Sequence, residues 1–233
     1  IKNLVQAELP VYIVIAGILA LIVLLITMES IVTPVLFLLC IGLAILYNMG
    51  TNIFLGQISY ITQALTAVLQ LGVTMDYSIF LLESYQANKV RFDNDKERAM
   101  AHAISNTFKS VVGSSITTVA GFAALCFMTF ALGRDLGIVM AKGVIIGVIV
   151  CITLLPSLIL FFDKWIDKTT HRAIFPNFHK SSAFITRHRV IPLLIFAVLF
   201  VPAFYGNNHV KVYYNLDQGL PQDLDSAIAN KKL

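Results

Sequence analysis

Long apolar runs recur along the chain, separated by short polar stretches. The run Leu9–Met28 carries no charged residue, and a second run begins directly after Glu29 and Ser30. An α-helix rises about 1.5 Å per residue, so about 20 apolar residues cross the hydrocarbon layer of a bilayer. The pattern predicts six membrane-spanning helices: Leu9–Met28, Ile31–Tyr47, Ile61–Tyr85, Val111–Leu132, Leu136–Phe162 and Val190–Tyr205.

Composition supports this interpretation. Of the 233 residues, 58% are hydrophobic and 13% are charged, which is unlike a typical soluble domain. We therefore predict an all-α polytopic protein that crosses the cell membrane several times. The three cysteines fall inside apolar spans without metal-ligand spacing, so we interpret them as packing residues and predict neither a metal site nor a cofactor.

Basic residues are concentrated in two connections, after the third and after the fifth span. Cytoplasmic loops carry an excess of Lys and Arg, so we predict that both connections are cytoplasmic and that both chain ends lie outside. The net charge of +4 is explained by this topology and does not indicate nucleic-acid binding. The basic residues are Lys89, Arg91, Lys96, Arg98 and Lys109 in the first connection, and Lys164, Lys168, Arg172, Lys180, Arg187 and Arg189 in the second.

The chain is interpreted as a fragment, because both ends look cut. Residues 1–8 read as the end of an extracellular domain and residues 9–162 as a five-helix bundle. A basic and aromatic connector, 163–189, is expected to lie along the inner membrane surface before the sixth span, 190–205. Residues 206–233 read as the beginning of a second extracellular domain, with a short strand and then a helix.

One carboxylate, Asp76, lies near the centre of the third predicted span, in LQLGVTMDYSIFLLESY, residues 69–85. A charged side chain at the bilayer centre costs roughly 2.5–3.5 kcal/mol on insertion scales, so such a residue is typically functional. A carboxyl that is neutral in hydrocarbon and ionises where water reaches it can bind and release protons. Gly72, one turn earlier, would let another helix approach, and Tyr77 adds a hydroxyl. Glu83 reads as an ordinary interfacial residue.

The fourth span carries small and hydroxyl side chains at helical spacing, in SVVGSSITTVAGF. Gly113, Thr117 and Gly121 form one row with a spacing of four, beside a row that contains Ser114. Small residues at this spacing let membrane helices touch, and hydroxyls can hydrogen-bond across the contact. We therefore expect Gly72, Gly113 and Gly121 at the contact between the third and fourth spans. The alternative is that the hydroxyls bond their own helix.

Lys142 is a second ionic residue inside an apolar run, about two turns from the outer end of the fifth span. It can extend outward to the interface or pair with Asp76, and we favour the outward position.

The motifs GVTMDYSIFL, SVVGSSITTVAGF and LGIVMAKG followed by LLPSLIL resemble the MMPL exporters of the resistance–nodulation–division superfamily, in the versions common in Gram-positive bacteria. The likeness covers essentially the whole chain. Its first five spans are also similar to the sterol-sensing arrangement of Patched-like proteins. The resemblance implies proton-driven export of lipids or other amphiphiles. It also implies that membrane lipids, a hydrophobic substrate, protons and a missing second half of the protein are the partners.

The family's proton relay is an Asp-Tyr pair in the fourth helix of each half, with a serine on the next helix. The resemblance therefore assigns relay roles to Asp76, Tyr77 and Ser114, and helical geometry adds Thr117. The large porter domains and the second Asp-Tyr span are not in this sequence, except that residues 206–233 would begin the second porter domain.

Two other functions are compatible with parts of this pattern. An intramembrane aspartyl protease needs two carboxylates that share a proton and a water, and one aspartate lies at membrane depth. A lipid-sensing or scaffolding module without transport is the main alternative, and it is separated from an exporter by dependence on the proton gradient. Phosphate-binding glycine loops, zinc-ligand spacing and nucleophile elbows are absent from the sequence, so we do not expect ATP-driven transport by this chain and do not predict an enzyme.

Overall fold

The computed structural model describes residues 2–171 and 187–209, and six long helices in it correspond to the six predicted spans. The fourth helix ends at Leu125 and the fifth begins at Ala131, so the predicted fourth span ends too late and the predicted fifth span begins too late. Six helices are long and apolar enough to cross a membrane. A short 3-10 helix, Thr51–Leu55, follows the second of them. The helices are α1 Lys2–Thr27, α2 Val32–Gly50, α3 Tyr60–Arg91, α4 Lys96–Leu125, α5 Ala131–Lys168 and α6 Val190–His209.

Helix α4 begins 15 residues earlier than the hydrophobic pattern predicted. The Asp95 side chain accepts a hydrogen bond from the Arg98 backbone N–H and caps the helix. Asp93 and Asn94 take positive φ angles of 51° and 67°, which turn the chain sharply between α3 and α4. The first turns of α4 carry charged residues, and hydropathy therefore missed them although Met100 is fully buried.

The contacts divide the chain into two units, Ile1–Phe175 and Pro176–Leu233. In the first unit, the long helix α5 packs against α2, α3 and α4, and α1 packs against α2 and α3. Large side chains fill this core without exposed surface, among them Phe37, Val144 and Leu155. Cys40 and Cys151 belong to the same apolar core, which confirms that they are packing residues.

The inner end of the first unit is closed by a contact between the α1–α2 turn and the end of α5. The Ser30 and Thr169 hydroxyls lie 2.9 Å apart, and the His171 backbone N–H donates to the Glu29 carbonyl at 2.7 Å. These contacts place the α1–α2 turn at the same end of the bundle as the α3–α4 turn. This is the arrangement expected when successive helices cross a membrane in alternate directions.

In the second unit, the described residues are those of 187–209, which contain α6. Its apolar side chains are exposed within this unit, and Pro202 lies inside the helix. The predicted connector aromatics Phe175, Phe178 and Phe184, and the predicted strand and helix after residue 209, lie outside the described residues.

Candidate functional site

Asp76 lies near the midpoint of α3, on an exposed face of the five-helix unit. It makes no hydrogen bond or ion pair with any described residue. Gly72 is exposed one turn before it, and Glu83 is exposed seven residues after it, on the same side of the helix. The carboxylate therefore faces outward from these five helices at membrane depth, unpaired by them.

The side chain of Tyr77 lies on the buried side of α3, unlike that of Asp76. Its side chain is 3% exposed and belongs to the apolar core, and its hydroxyl has no hydrogen-bond partner among the described residues. The Asp76 carboxylate thus faces away from the bundle, whereas the phenol of the adjacent Tyr77 lies inside it.

Ser114 and Thr117 both lie on exposed positions of α4. The Thr117 hydroxyl donates to the Ser114 carbonyl at 2.8 Å, so for Thr117 the alternative of bonding within its own helix is confirmed. Asp76 precedes Phe92 by 16 residues and Ser114 follows Asp95 by 19, so the two differ in depth by about 4.5 Å on antiparallel helices. Asp76 and Ser114 therefore lie at similar depths, and no hydrogen bond joins them.

The predicted role of the three glycines in joining α3 to α4 is wrong for these two helices. A Cβ atom added at Gly72, Gly113 or Gly121 would meet no atom within 4 Å. The buried face of α4 instead presents Ala103 and Ser115. On this unit, the surface that these small residues form is open.

Lys142 does not pair with Asp76. Its ammonium donates to the Asn48 carbonyl at 3.0 Å and to Asn52 Oδ1 at 2.6 Å, at the C-terminal end of α2. This is the end of the bundle that the basic loops predict to be outside, so Lys142 extends toward that end and not toward Asp76. A cation there also complements the negative end of the helix dipole.

A buried polar cluster inside the bundle was missed at the sequence level. Asn48 Nδ2 donates to Gln70 Oε1 at 2.8 Å and to the Val139 carbonyl at 3.3 Å, and Gln70 Nε2 donates to the Gly143 carbonyl at 3.1 Å. Gly143 is required there, because an added Cβ would clash with the side-chain amide of Asn48 and lie 3.0 Å from Gln70 Oε1. Polar residues recur along α3 at a regular spacing, but this pattern is hidden when hydropathy is averaged over a window of residues.

A second missed cluster lies at the inner end, around the buried carboxylate of Asp163, which is 1% exposed. It accepts from the Tyr85 hydroxyl at 2.7 Å and from Lys89 Nζ at 3.0 Å, and it pairs with Lys96. Lys89 also binds Asp167 at 2.7 Å. These groups line a cleft of about 520 Å³ between the ends of α3 and α5. Because each charge is paired, this cluster is suited to anchoring helices.

Among the described residues, Asp76 is thus the one ionic group that lies near mid-span without a partner. A carboxylate in that position is stabilised by water, by a proton or by a polar partner from another part of the protein. The chemistry that fits it is reversible proton binding.

Comparison with known proteins identifies the family. The model of the MMPL family matches residues 1–190. The chain is 31% identical over 128 residues to the membrane protein ActII-3 of Streptomyces coelicolor, which is 55% of this chain and 18% of that protein.

Two relatives carry functional names. The siderophore exporter MmpL5 of Mycobacterium tuberculosis is 29% identical over 149 residues, covering 62% of this chain and 15% of that protein. The mycolic acid-containing lipids exporter MmpL11 of Mycolicibacterium smegmatis is 23% identical over 176 residues, covering 69% of this chain and 18% of that protein. The chain therefore spans less than a fifth of the length of these relatives. With its helices and this match over residues 1–190, the chain is a multi-pass membrane protein and belongs to the MMPL family.

Proposed function

We propose that the full-length protein to which this chain belongs exports lipids or other hydrophobic compounds across the cell membrane, driven by the proton gradient. The observation that supports this proposal most is the unpaired carboxylate of Asp76 on the open face of α3. A chain that keeps a carboxylate at this depth bears the cost of its burial, and reversible protonation is a use for it.

Protonation of Asp76 would convert a charged face into a neutral one. The Gly72 position beside it is open, and so are those of Gly113 and Gly121 on α4. A second set of helices from the missing part of the protein can therefore approach closely. A proton that crosses the membrane releases about 2.3 kcal/mol per 100 mV, which is enough to shift a conformational equilibrium between loosely and tightly packed states.

The other relay residues take supporting roles in this proposal. The Tyr77 hydroxyl, which has no partner among the described residues, would supply a hydrogen bond on the buried side. The Ser114 hydroxyl would supply one on the exposed side, and Thr117 would orient that turn through its bond to the Ser114 carbonyl. Water could replace either hydroxyl in part, so each contributes less than the carboxylate.

The names of two relatives support the proposed substrate class. One relative is named as a lipid exporter and another as a siderophore exporter. We extend the common feature, export of a lipid-like or amphiphilic compound, to this protein.

Asp76→Asn in the full-length protein tests the proposal. Asparagine keeps the size of the side chain but does not bind and release protons, so efflux from inside-out vesicles should no longer respond to an imposed pH gradient. Abundance and thermal stability should be unchanged, because the carboxylate has no partner among the described residues to lose. Glu83→Gln, on the same face, is the matched control and should retain transport. Gradient-dependent efflux by Asp76→Asn would show that the coupling site lies elsewhere. Lipid binding without gradient-dependent transport by the wild-type protein would favour the sensing module.

A further inference from the structure

Two arginines at the turn between α3 and α4 share one aromatic ring. The ring is that of Phe92, which directly follows α3 and packs against the apolar core. The guanidinium carbon of Arg98 lies 4.7 Å from the centre of this ring, and that of Arg91 lies 5.6 Å from it. Arg91 is the last residue of α3, whereas Arg98 lies in the first turn of α4. One ring therefore brings together cations from two helices.

The turn that carries this cluster is fixed on both sides. On α4, the ring of His102 lies one turn after Arg98 and contacts the Phe92 ring with 4.6 Å between the ring centroids. The Phe92 backbone N–H donates to the Asn88 carbonyl of α3 at 2.9 Å. The Asp95 side chain accepts from the Arg98 backbone N–H at 3.1 Å. The positions from which the two arginine side chains extend are therefore set by the fold.

Neither arginine has an acidic partner among the described residues. The ion pairs at this end of the bundle are made by Lys89 and Lys96 with aspartates of α5. Arg91 and Arg98 are both exposed, and their guanidinium N–H groups donate to no atom of the described residues. Three carboxylates close by in the sequence pair with neither guanidinium: Asp93, Asp95 and Glu97.

This arrangement is suited to binding an anion. A guanidinium that lies over an aromatic ring keeps the N–H groups along its edge free. Those groups match two oxygen atoms of a phosphate group, with which they form paired, charge-assisted hydrogen bonds. Two cations that are held close together repel each other, and an anion between them replaces this repulsion with attraction. Lys89 and Lys96 offer no such site, because their charges are already paired.

The depth of the turn indicates which anion it meets. Arg91 follows Asp76 by 15 residues on α3, which is about 22 Å along the helix axis. A bilayer with its headgroups is about 40–45 Å thick, so this distance from a residue near mid-span reaches the headgroup layer. The turn lies on the predicted cytoplasmic side, where anionic lipids attract basic residues close to the surface. The phosphate group of a membrane lipid is therefore the anion expected at this level.

We propose that Arg91, Phe92 and Arg98 form a binding site for the phosphate group of an anionic phospholipid in the cytoplasmic leaflet. Both guanidinium groups donate to the same phosphate, and the Phe92 ring holds their planes in place. The lipid thereby links the end of α3 to the beginning of α4, beside the ionic cluster around Asp163. This binding depends neither on the proton gradient nor on Asp76, so it is independent of the proposed function.

Lipid binding by the purified full-length protein tests the site. The delipidated protein is titrated with phosphatidylglycerol in a neutral detergent, where no membrane surface potential acts, and bound lipid is counted by native mass spectrometry. The double variant Arg91→Lys and Arg98→Lys keeps both charges but loses the planar, paired donors. Its affinity for phosphatidylglycerol should fall about tenfold. Phosphatidylcholine should bind the wild type more weakly, because its choline cation is repelled by both arginines.

The matched control is the double variant Lys164→Gln and Lys168→Gln. These two lysines are exposed, lie four residues apart near the inner end of α5, and contact no aromatic ring among the described residues. The control removes two charges from the same end of the bundle but leaves the Phe92 cluster intact. Its affinity should change by less than about twofold, because isolated surface charges contribute little.

Several results would overturn the proposal. Wild-type affinity in the arginine-to-lysine variant would show that charge alone attracts the lipid, and an equal loss in the α5 control would show that the turn is not a specific site. Displacement of the lipid by inorganic phosphate at the same concentration would assign the site to a soluble phosphate. Asp76→Asn should bind phosphatidylglycerol as the wild type does, so failure of the proposed transport mechanism is distinguished from failure of this site. Size-exclusion profiles and thermal stability without lipid confirm that each variant is folded.

Discussion

The Tyr85 hydroxyl donates a 2.7 Å hydrogen bond to the carboxylate of Asp163, which lies 78 residues further along the chain. The same carboxylate binds Lys89 and Lys96. One buried acidic group thus joins the end of α3, the beginning of α4 and the end of α5. Below the apolar core, this ionic cluster fixes how three helices meet at the predicted cytoplasmic surface.

Loss of Asp163 should therefore destabilise the bundle. Asp163→Ala leaves two lysines without their buried partner, and breaking a buried pair in this way costs about 3–5 kcal/mol. Tyr85→Phe removes a hydrogen bond to a charged group and should cost about 1.5–3 kcal/mol. The free energy of unfolding in mixed micelles measures both effects. Asp167→Asn is the control, because Asp167 is 54% exposed and its pair with Lys89 should contribute less than about 1 kcal/mol. Equal effects of the Asp163 and Asp167 variants would show that the buried anchor is not important.

The glycines of α5 and those of α4 should respond oppositely to the same substitution. Gly147→Ala places a Cβ atom 2.7 Å from the Thr74 hydroxyl, and overpacking of this kind costs about 1–3 kcal/mol. Gly113→Ala meets open space and gains helix propensity, so the isolated chain should be unchanged or more stable by up to about 1 kcal/mol. Thermal unfolding of the purified chain in detergent distinguishes the two. A larger loss for Gly113→Ala would mean that the face of α4 packs within the unit after all.

Much of the fold follows from the sequence, because crossing a bilayer imposes a length and a polarity that are visible in the pattern. The position of Asp76 in the third span was predicted for this reason. The role of the glycines was not, since a small-residue row predicts a surface that can be approached closely but does not identify the approaching partner. The Tyr85–Asp163 bond was invisible to pattern analysis because it joins distant residues through tertiary packing. The buried polar residues of α3 were visible as a spacing of four, but averaging hydropathy over a window favoured the apolar residues between them. These polar residues are Thr62, Thr66, Gln70, Thr74 and Ser78.

Lys142 should contribute to stability and not to proton coupling. Lys142→Met keeps the length of the side chain but removes the donor that binds the Asn48 carbonyl and Asn52 Oδ1. Loss of these two bonds should lower the free energy of unfolding by about 1–3 kcal/mol. Gradient-driven efflux by the full-length variant should persist once differences in abundance are corrected. A variant that is stable but loses its response to the pH gradient, as expected for Asp76→Asn, would instead place Lys142 in the relay.

Membrane orientation is the last prediction. The α3–α4 turn and the 3-10 connection lie at opposite ends of the bundle, because the 32-residue helix α3 separates them. The basic residues around the first of these turns predict that it is cytoplasmic. A cysteine at exposed Asp93 should therefore react with an impermeant maleimide only after the cells are opened, whereas a cysteine at exposed Gln57 should react in intact cells. Neither side chain has a partner among the described residues to lose. Residue 93 has a φ of 51°, so Asp93→Cys should cost about 1–2 kcal/mol of stability without changing the side from which it is labelled. Labelling of Asp93→Cys in intact cells would reverse the orientation.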